Sequence, residues 1–291
     1  MSEAPWVVIL AGGDGQRVSG LTRGGDGRAV PKQFYRIDGR SSMLRWAFDR
    51  ALALAPIDHV LFVVSSAHQE FWEEHLRDVP RRNLLVQPRN RGTAPAVLLA
   101  ALTVRLRAAP DTPVLFMPSD HYVADETTLR RGTLRALDAA AGQPSDVVLL
   151  GMAPTEEDSQ CGWILPGSAA PVAPVSRFVE KPSANEAGAL VARGGLVNTF
   201  IFAAQVQTLV EVLADTMPWH EHLFRAYRRL ATGVLHLRQL YDRIPIADFS
   251  RDVLEQATRR MAVVRVPACG WRDLGTPSAL LGYRRQVLAG A

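Results

Sequence analysis

The sequence predicts an α/β protein whose central sheet is open, mostly parallel and covered by helices on both faces. Up to residue 152, short apolar runs typical of buried strands alternate with segments whose apolar residues recur at helical spacing. The first apolar run, WVVIL at 6–10, ends in glycines, which is typical of a buried parallel strand. This strand–helix alternation favours a doubly covered parallel sheet over an all-helical or all-β core.

The elements of this first part follow one another in a regular order. After the first strand, SSMLRWAFDRALAL (41–54) has serine caps and then apolar residues at helical spacing. Further strands are predicted at HVLFVVS (59–65), NLLVQ (83–87), VLFMPSD (114–120) and DVVLLGM (146–152). The helices between them are predicted at AHQEFWEEHLRD (67–78), TAPAVLLAALTVRLRAA (93–109) and DETTLRRGTLRALDAAAG (125–142).

The alternation becomes less regular after residue 153. Strands are predicted at CGWILPG (161–167), SRFVEKP (176–182), NTFIFAA (198–204) and MAVVRVP (261–267). Helices are predicted at LVEVLADTM (209–217), at EHLFRAYRRLAT (221–232) and from Thr276 onwards. We therefore expect one α/β core with a second, smaller lobe built from these later segments.

Composition excludes several classes of protein. Lys and Arg exceed Asp and Glu by only 33 to 29, and the basic residues are dispersed, so a nucleic-acid-binding face is not indicated. No signal peptide and no apolar stretch of about 18 residues is visible, so we expect a cytoplasmic protein without a membrane partner. Cys161 and Cys269 have no metal-binding spacing and are expected to be reduced.

The glycine-rich stretch LAGGDGQRVSGLTRGGDGRAVPKQF (10–34) is the strongest candidate for a ligand-binding loop. Glycines that follow a strand let backbone N–H groups converge on phosphate, because no Cβ intrudes. The Walker pattern GxxxxGK[ST] does not occur, and the dinucleotide pattern fails because Val18 stands at its third glycine. From the glycines alone, a flexible turn between core elements is an equally good explanation.

Three further segments point to a site. PKQF (31–34) places a cation after a rigid proline, and PSDH (118–121) places a carboxylate just beyond a buried strand, where open α/β sheets bind ligands. FVEKP (178–182) pairs Glu180 with Lys181. Each has a structural explanation when it is taken singly: a solvated lysine, a helix cap, or an exposed ion pair. These separate structural explanations do not account well for the joint occurrence of the three segments in this order.

The order of these segments resembles the sugar nucleotidyltransferases, and most closely the bacterial mannose-1-phosphate guanylyltransferases. LAGGDGQR (10–17) followed by PKQF resembles the signature loop of that family, and QPRNRGTAPAV (87–97) resembles its nucleotide-recognition segment. PSDH resembles its metal-binding strand end. The resemblance continues through FVEKP (178–182), NTFIF (198–202), DFSRDVLE (248–255) and WRDLG (271–275).

The resemblance implies a Rossmann-like nucleotidyltransferase fold with a smaller sugar-binding lobe. It divides a single domain, 1–291, into a nucleotide-binding part at 1–152 and a sugar-phosphate-binding and dimer or lid part at 153–291. We expect no C-terminal β-helix or isomerase domain. The implied reaction transfers GMP from GTP to mannose 1-phosphate, with Mg²⁺ as the cofactor and pyrophosphate as the leaving group.

The same resemblance assigns roles to individual residues. Arg17, Lys32, Asp120 and Lys181 are the implied catalytic residues, and Asp120 with Asp273 would hold the metal. The implied nucleotide-binding residues are Leu10, Ala11, Gly12, Gly13, Gln87, Gly92 and Thr93, and those for the sugar phosphate are Gly162, Glu180, Lys181 and Asn198.

Two other functions remain open at this point. A related enzyme would use another pair of substrates, such as glucose 1-phosphate with UTP or dTTP, and only the nucleotide-recognition segment argues against it. A non-catalytic nucleotide-sugar sensor of the same fold is expected to lack Lys32 or a metal carboxylate, and neither is missing. A homodimer is compatible with either reading.

Overall fold

A nine-stranded sheet runs through the centre of the protein, for which a computed structural model describes residues 4–142, 147–154, 160–220, 222, 224 and 234–289. Its strands are β1 (Trp6–Ala11), β2 (Val60–Ser65), β3 (Leu84–Gln87), β4 (Pro113–Pro118), β6 (Val147–Met152), β7 (Gly162–Pro166), β8 (Val172–Glu180), β9 (Leu196–Gln205) and β10 (Met261–Val266). Two short strands, β5 (His121–Tyr122) and β11 (Arg272–Asp273), form a separate antiparallel pair.

The helices in the described part of the chain cover both faces of the large sheet. They are α1 (Met43–Leu52), α2 (Gln69–His75), α3 (Thr93–Arg107), α4 (Glu126–Gly142), α5 (Ala184–Ala192), α6 (Val206–Thr216), α7 (Val234–Arg243) and α8 (Pro277–Ala289), with a π-helical segment at Phe249–Leu254. None of the helices in these ranges is long and apolar enough to cross a bilayer.

The strand order β3-β2-β1-β4-β9-β6-β10-β8-β7 confirms the predicted fold class. The pairings make seven strands run in one direction and only β8 and β9 run in the other, so the sheet is mostly parallel by orientation. The sequence did not indicate that β9 lies antiparallel between β4 and β6. That insertion joins the earlier and later segments in one continuous sheet.

Residue alternation along the strands explains why helices pack on both faces. In β1, Val8 packs against the layer that contains α3 and α6, whereas Val7 and Ile9 pack against the layer of α1 and α4. Successive side chains of a strand point to opposite faces, so a strand that is apolar throughout must be covered twice. Residues 7 to 9 have no exposed surface, as this arrangement requires.

A cleft opens at a gap in the pairing along one edge of β9. Residues 113–116 at the start of β4 pair with the later half of β9, and the start of β7 pairs with the first residues of β9 on the same edge. Between these pairings the β6–β9 register shifts, and Phe200 takes a left-handed φ of 58°. A bulge at this point breaks the ladder and leaves room for a ligand between β4 and β7.

Several predicted boundaries differ from the structure, and some elements were not predicted. The helix expected at 221–232 lies outside the described residues except for 222 and 224, and residue 146 of the strand predicted at 146–152 also lies outside them. Helices α5 and α7, the π-helical segment and the β5–β11 pair had no clear signal in the sequence. The division at residue 152 stays a hypothesis.

Candidate active site

A cleft of about 400 Å³ opens at the carboxyl ends of β1, β3 and β4 and at the start of β7. It brings together nearly all of the predicted site residues, which come from both parts of the chain. Those that line it are Leu10, Gly12, Gly13, Arg17, Gln87, Gly92, Thr93, Asp120, Gly162, Glu180, Lys181, Asn198 and Asp273. Ala11 and Lys32 are not among the lining residues: Ala11 is a core residue, and Lys32 lies buried beneath the cleft.

A glutamine from the PKQF segment forms two hydrogen bonds with the backbone of the glycine loop. The side-chain amide of Gln33 donates to the carbonyl of Ala11 at 3.1 Å and to that of Gly13 at 2.8 Å. Gly15 has a φ of 60°, and a Cβ there would lie 2.9 Å from the backbone nitrogen of Lys32. Only glycine fits this close left-handed approach, which places the loop directly over the buried lysine.

Lys32 forms ion pairs with two carboxylates at the floor of the cleft. Its Nζ lies 2.8 Å from Oδ1 of Asp273 and 3.1 Å from Oδ2 of Asp120. The lysine side chain is only 3% exposed, whereas the Asp273 and Asp120 carboxylates are 23% and 34% exposed towards the cleft. A buried ammonium is stable only when it is paired, so the two aspartates fix its position.

The pKa shifts agree with this pairing. Burial alone would lower the pKa of Lys32, but the adjacent carboxylates of Asp120 and Asp273 raise it above its usual value. Burial alone would raise the pKa of Asp273, but the ammonium of Lys32, its hydrogen bond and the guanidinium of Arg17 help to bring it down to about 2. The lysine is therefore cationic and Asp273 anionic across the physiological pH range.

His121 lies behind the two carboxylates and is neutral. Its Nε2 is 3.9 Å from both Asp120 and Asp273, while its Nδ1 accepts a hydrogen bond from the Trp271 indole at 3.2 Å. Burial lowers the pKa of this imidazole despite the two nearby carboxylates. The β5–β11 pairing of His121 with Asp273 places both side chains at the cleft.

Arg17 adds a second cation at the mouth of the cleft. It belongs to a 3₁₀ turn at Gln16–Val18 and is exposed. Its guanidinium lies close to Gly275, where a Cβ would approach Nη2 to 2.9 Å, and its charge contributes to the lowered pKa of Asp273. An exposed arginine beside a glycine loop is well placed to meet phosphate oxygens.

Residues 87–97, which resemble the nucleotide-recognition segment of the family, pack against residues 247–249. A Cβ on Gly92, whose φ is 85°, would clash with the carbonyl oxygen of Ala247. The hydroxyl of Thr93 accepts a hydrogen bond from the backbone N–H of Phe249 at 2.7 Å. Thr93 therefore lines the cleft but uses its hydroxyl to hold this second segment in place.

Glu180 and Lys181 occupy the opposite end of the cleft. The backbone N–H of Glu180 donates to Oε1 of Glu255 at 2.6 Å, and Lys181 has a left-handed φ of 49°. Gly162 faces Glu180 across the β7–β8 pairing, and a Cβ there would lie 2.7 Å from its Oε2. Burial and the neighbouring Asp248 carboxylate raise the pKa of Glu180, although Lys181 opposes the shift.

Asn198 stabilises the bulge in β9 through its side chain. Its Oδ1 accepts the backbone N–H of Phe200 at 3.1 Å, and the residue is 6% exposed. Because the amide oxygen is occupied, the NH₂ group is the part of the side chain that is available to a ligand in the cleft.

The chain contains only two lysines among 33 basic residues, and both belong to this site. The other 31 are arginines. An ammonium is a compact point charge, whereas the planar guanidinium needs room for bidentate contacts. The smaller cation is thus used at Lys32 and Lys181, which pair with carboxylates of the cleft.

A divalent metal fits the carboxylate pair only together with a phosphate ligand. Among the described residues, no group of three or more His, Cys, Asp or Glu side chains is arranged to hold a metal ion. Asp120 and Asp273 converge on one ammonium and expose oxygen atoms to the cleft. One or two carboxylates completed by phosphate oxygens and water are a usual set of ligands for Mg²⁺.

Sequence reasoning missed several residues of the cleft. Asp248 and Ser250 line it, and Glu255 supports Glu180. All three lie within DFSRDVLE, which resembles a family segment, so a signal was present but carried no residue assignments. Tyr241, which contacts Gln87, had no signal, because nothing in the sequence relates α7 to the end of β3.

The chain is similar to known proteins along nearly its whole length. The profile of the nucleotidyl transferase family matches residues 6–290. The xanthan biosynthesis protein XanB of Xanthomonas campestris pv. campestris (strain B100) is 30% identical over 287 residues, covering 96% of this chain and 59% of that protein. Mannose-1-phosphate guanylyltransferase RfbM of Salmonella typhimurium is 28% identical over 302 residues, covering 97% of this chain and 60% of that protein.

A solved structure gives the same result for the fold. A crystal structure of mannose-1-phosphate geranyltransferase from Thermus thermophilus superposes with a TM-score of 0.82 and 28% identity. The match covers 94% of this chain and 77% of that one. The chain thus spans about 60% of the length of the two curated relatives and more of this structure.

Proposed function

Because this chain belongs to the nucleotidyl transferase family, we propose that it transfers GMP from GTP to mannose 1-phosphate. The products would be GDP-mannose and pyrophosphate. The observation that carries this proposal is the position of Lys32 between Asp120 and Asp273, with the glycine loop and Glu180–Lys181 at opposite ends of one cleft. The relative named mannose-1-phosphate guanylyltransferase supports the choice of base and sugar.

The proposed chemistry is a single in-line displacement. A phosphate oxygen of the sugar 1-phosphate forms a bond to the α-phosphorus of the nucleotide, and the bond from that phosphorus to the bridging oxygen of the β-phosphate breaks. Pyrophosphate leaves with the electron pair. Since two anions must approach and charge builds on the leaving group, fixed cations and correct positioning supply most of the rate.

The cations of the cleft suit this division of work. We assign Lys32 to the reacting α-phosphate, because it is rigidly held and lies under the glycine loop. Arg17, at the exposed mouth, is assigned to the terminal phosphates. The backbone N–H groups of the glycine loop would contact the triphosphate, and the residues concerned are Leu10, Ala11, Gly12 and Gly13.

The opposite end of the cleft suits a sugar phosphate. We assign Lys181 to the phosphate of the sugar, and Glu180 and Asn198 to its hydroxyl groups. A carboxylate accepts hydrogen bonds and an amide NH₂ donates them. Glu180 and Asn198 can therefore accept from one sugar hydroxyl and donate to another. Gly162 lets the Glu180 carboxylate lie close against β7 in this part of the cleft, because any Cβ there would meet Glu180 and Phe178.

The proposed cofactor is Mg²⁺, held by Asp120 and Asp273 together with phosphate oxygens of the nucleotide. When bound, it would neutralise charge on the triphosphate and on the departing pyrophosphate. Lys32 pairs with both carboxylates and so offsets the repulsion between their negative charges. We also propose the nucleotide part at 1–152, the sugar part at 153–291 and a cytoplasmic location.

An assay of pyrophosphate release tests the proposal. GTP, ATP, UTP, CTP and dTTP are each paired with mannose, glucose and other sugar 1-phosphates in the presence of Mg²⁺. We expect the highest kcat/KM for GTP with mannose 1-phosphate. A tenfold preference for UTP or dTTP with glucose 1-phosphate would assign the other substrate pair, and binding without turnover would indicate a sensor.

A further inference from the structure

The side-chain amide of Gln87 is held by a tyrosine from a distant helix. The hydroxyl of Tyr241 donates to Oε1 of Gln87 at 3.0 Å, although the two residues are 154 positions apart. Gln87 ends β3, is 4% exposed and lines the cleft. Its Nε2 faces the glycine loop, since a Cβ built on Gly12 would lie 2.7 Å from that nitrogen.

Tyr241 itself has little freedom to move. It has no exposed surface, and its ring packs against Phe224 in the core. Arg91, in the loop that follows β3, donates from Nε to the carbonyl of Tyr241 at 2.7 Å and so ties α7 to the nucleotide-recognition segment. In this arrangement the buried hydroxyl donates to Oε1, so Nε2 is the end of the amide that is directed away from Tyr241.

The orientation of the Gln87 amide determines which group it presents to the base of a bound nucleotide. With Oε1 occupied, Gln87 presents an NH₂ donor to the part of the cleft between Gly12, Gly92 and Thr93. A carbonyl oxygen of the base would accept a hydrogen bond from this NH₂ group. An exocyclic amino group of the base would place a second donor against it and form no hydrogen bond. At position 6, guanine and hypoxanthine carry the carbonyl and adenine carries the amino group.

We propose that Tyr241 is a positioning residue that turns the NH₂ of Gln87 towards the base and thereby selects 6-oxopurines over 6-aminopurines. This inference rests on the proposed function, because it requires a nucleoside triphosphate at this end of the cleft. It concerns the choice of base and leaves the sugar phosphate and the displacement chemistry unaffected.

The first test measures kcat/KM for GTP, ITP and ATP in the wild type and in Tyr241→Phe. ITP keeps the 6-oxo group but lacks the 2-amino group, so it isolates the predicted contact. In the variant the amide is free to rotate, and we expect the preference for GTP and for ITP over ATP to fall about tenfold, the scale of one hydrogen bond. The KM for mannose 1-phosphate should not change.

Tyr283→Phe serves as the matched control. Tyr283 is also buried, its ring packs on Tyr122, and it lies outside the set of cleft-lining residues. The same substitution there should leave the ratio of GTP to ATP unchanged. An equal change in both variants would attribute the effect to a general loss of packing and overturn the proposal.

A second variant keeps the proposal testable if Tyr241→Phe folds poorly. In Gln87→Glu, Tyr241 donates to one carboxylate oxygen and the other faces the base as an acceptor. The ratio of GTP to ATP should then fall further than in Tyr241→Phe, by about a hundredfold, because the repulsion now acts on the carbonyl. Calorimetric Kd values for GDP and ADP give the same ratio without turnover.

The outcomes separate the two hypotheses. If the wild type prefers neither GTP nor ITP, the proposed function fails before the role of Tyr241 is reached. If the wild type prefers GTP but Gln87→Glu or a well-folded Tyr241→Phe keeps the full preference, Tyr241 does not position the base-reading group.

Discussion

Lys32 and Asp273, 241 positions apart in the chain, meet in an ion pair of 2.8 Å at the floor of the cleft. The lysine follows the glycine loop, and the aspartate lies in the short strand β11. Because Asp120 accepts from the same ammonium, one buried cation connects the three chain segments that surround the proposed reaction centre.

Replacing Lys32 and replacing Lys181 should change different kinetic constants. Lys32→Ala should lower kcat by roughly 10²–10³, the scale for removing one preorganised donor to a transition state. Lys181→Ala should mainly raise the KM for the sugar 1-phosphate, because the proposed role of Lys181 is to hold that substrate before and during the reaction. Steady-state kinetics with each substrate varied in turn measures both effects.

Arg82→Ala is a suitable control for the loss of a cation. Its exposed side chain pairs with Asp58, just before β2, at the opposite end of the sheet from the cleft. The kinetic constants of this variant should equal those of the wild type. Equal changes in kcat and KM for both lysine variants would contradict the proposed division of roles.

Removing one of the two proposed metal carboxylates should impair turnover far more than folding. In Asp120→Asn or Asp273→Asn, Lys32 keeps one carboxylate partner, so we expect a small change in Tm. Turnover at limiting Mg²⁺ should fall strongly in both variants and recover in part at high Mg²⁺. Full activity of Asp273→Asn at limiting Mg²⁺ would leave Asp120 as the only protein ligand.

The double variant Asp120→Asn/Asp273→Asn should be destabilised as well. It leaves the ammonium of Lys32, 3% exposed, without a carboxylate, and such losses reduce the free energy of unfolding by about 3–5 kcal/mol. Adding Lys32→Met should restore most of that loss, because the buried charge is then absent. Chemical denaturation of the three proteins checks this, and no rescue by methionine would refute the explanation.

Selective isotope labelling of lysine should give only two side-chain signals, since the chain has two lysines. The Asp120 and Asp273 carboxylates raise the pKa of Lys32 above 10.5 against the opposing effect of burial. This ion pair therefore stabilises the fold below the unfolded-state pKa, and the contribution is lost as the pH rises through the higher folded-state pKa. ¹³Cε spectra recorded from about pH 8 upwards should show Lys32 titrating above 10.5.

Lys181→Ala assigns the two signals by removing one of them. The same titration in Asp273→Asn should move the midpoint of Lys32 downwards, because one of its two carboxylate partners is gone. A Lys32 signal that titrates below 10.5 in the wild type would show that burial outweighs the two aspartates.

Glu180→Gln should stabilise the protein while it weakens substrate binding. Burial and the Asp248 carboxylate raise the pKa of Glu180, so its ionised form is less favourable in the folded state than in the unfolded chain. That cost is absent at low pH, where both states are protonated, and is complete above the folded-state pKa. The variant should therefore exceed the wild type in unfolding free energy at about pH 8 but not near pH 4.

The kinetic effect of the same variant should have the opposite sign. Its KM for mannose 1-phosphate should rise, because an amide cannot replace both acceptor oxygens of the carboxylate. Glu186→Gln, an acidic residue on the adjacent α5 that pairs with Arg177, is the control. A wild type that is more stable than Glu180→Gln at about pH 8 would show that the ion pair with Lys181 dominates.

Local patterns in the sequence predicted most of the elements and many site residues. WVVIL, HVLFVVS and TAPAVLLAALTVRLRAA became β1, β2 and α3 within one or two residues of the expected bounds. Apolar periodicity reports burial residue by residue, so each element could be found from its own segment. The residues of the cleft were found because motifs such as LAGGDGQR and PKQF resemble a known family.

Contacts between distant segments had no such local signal. The antiparallel insertion of β9 between β4 and β6, the support of Glu180 by Glu255, and the hydrogen bond from Tyr241 to Gln87 were decided by the tertiary structure. Each depends on which segments the folded sheet brings together, and strand order is not encoded in the burial pattern of any single strand. The sequence alone therefore determined which residues carry charge and hydrogen-bonding groups, and the fold decided which of them meet.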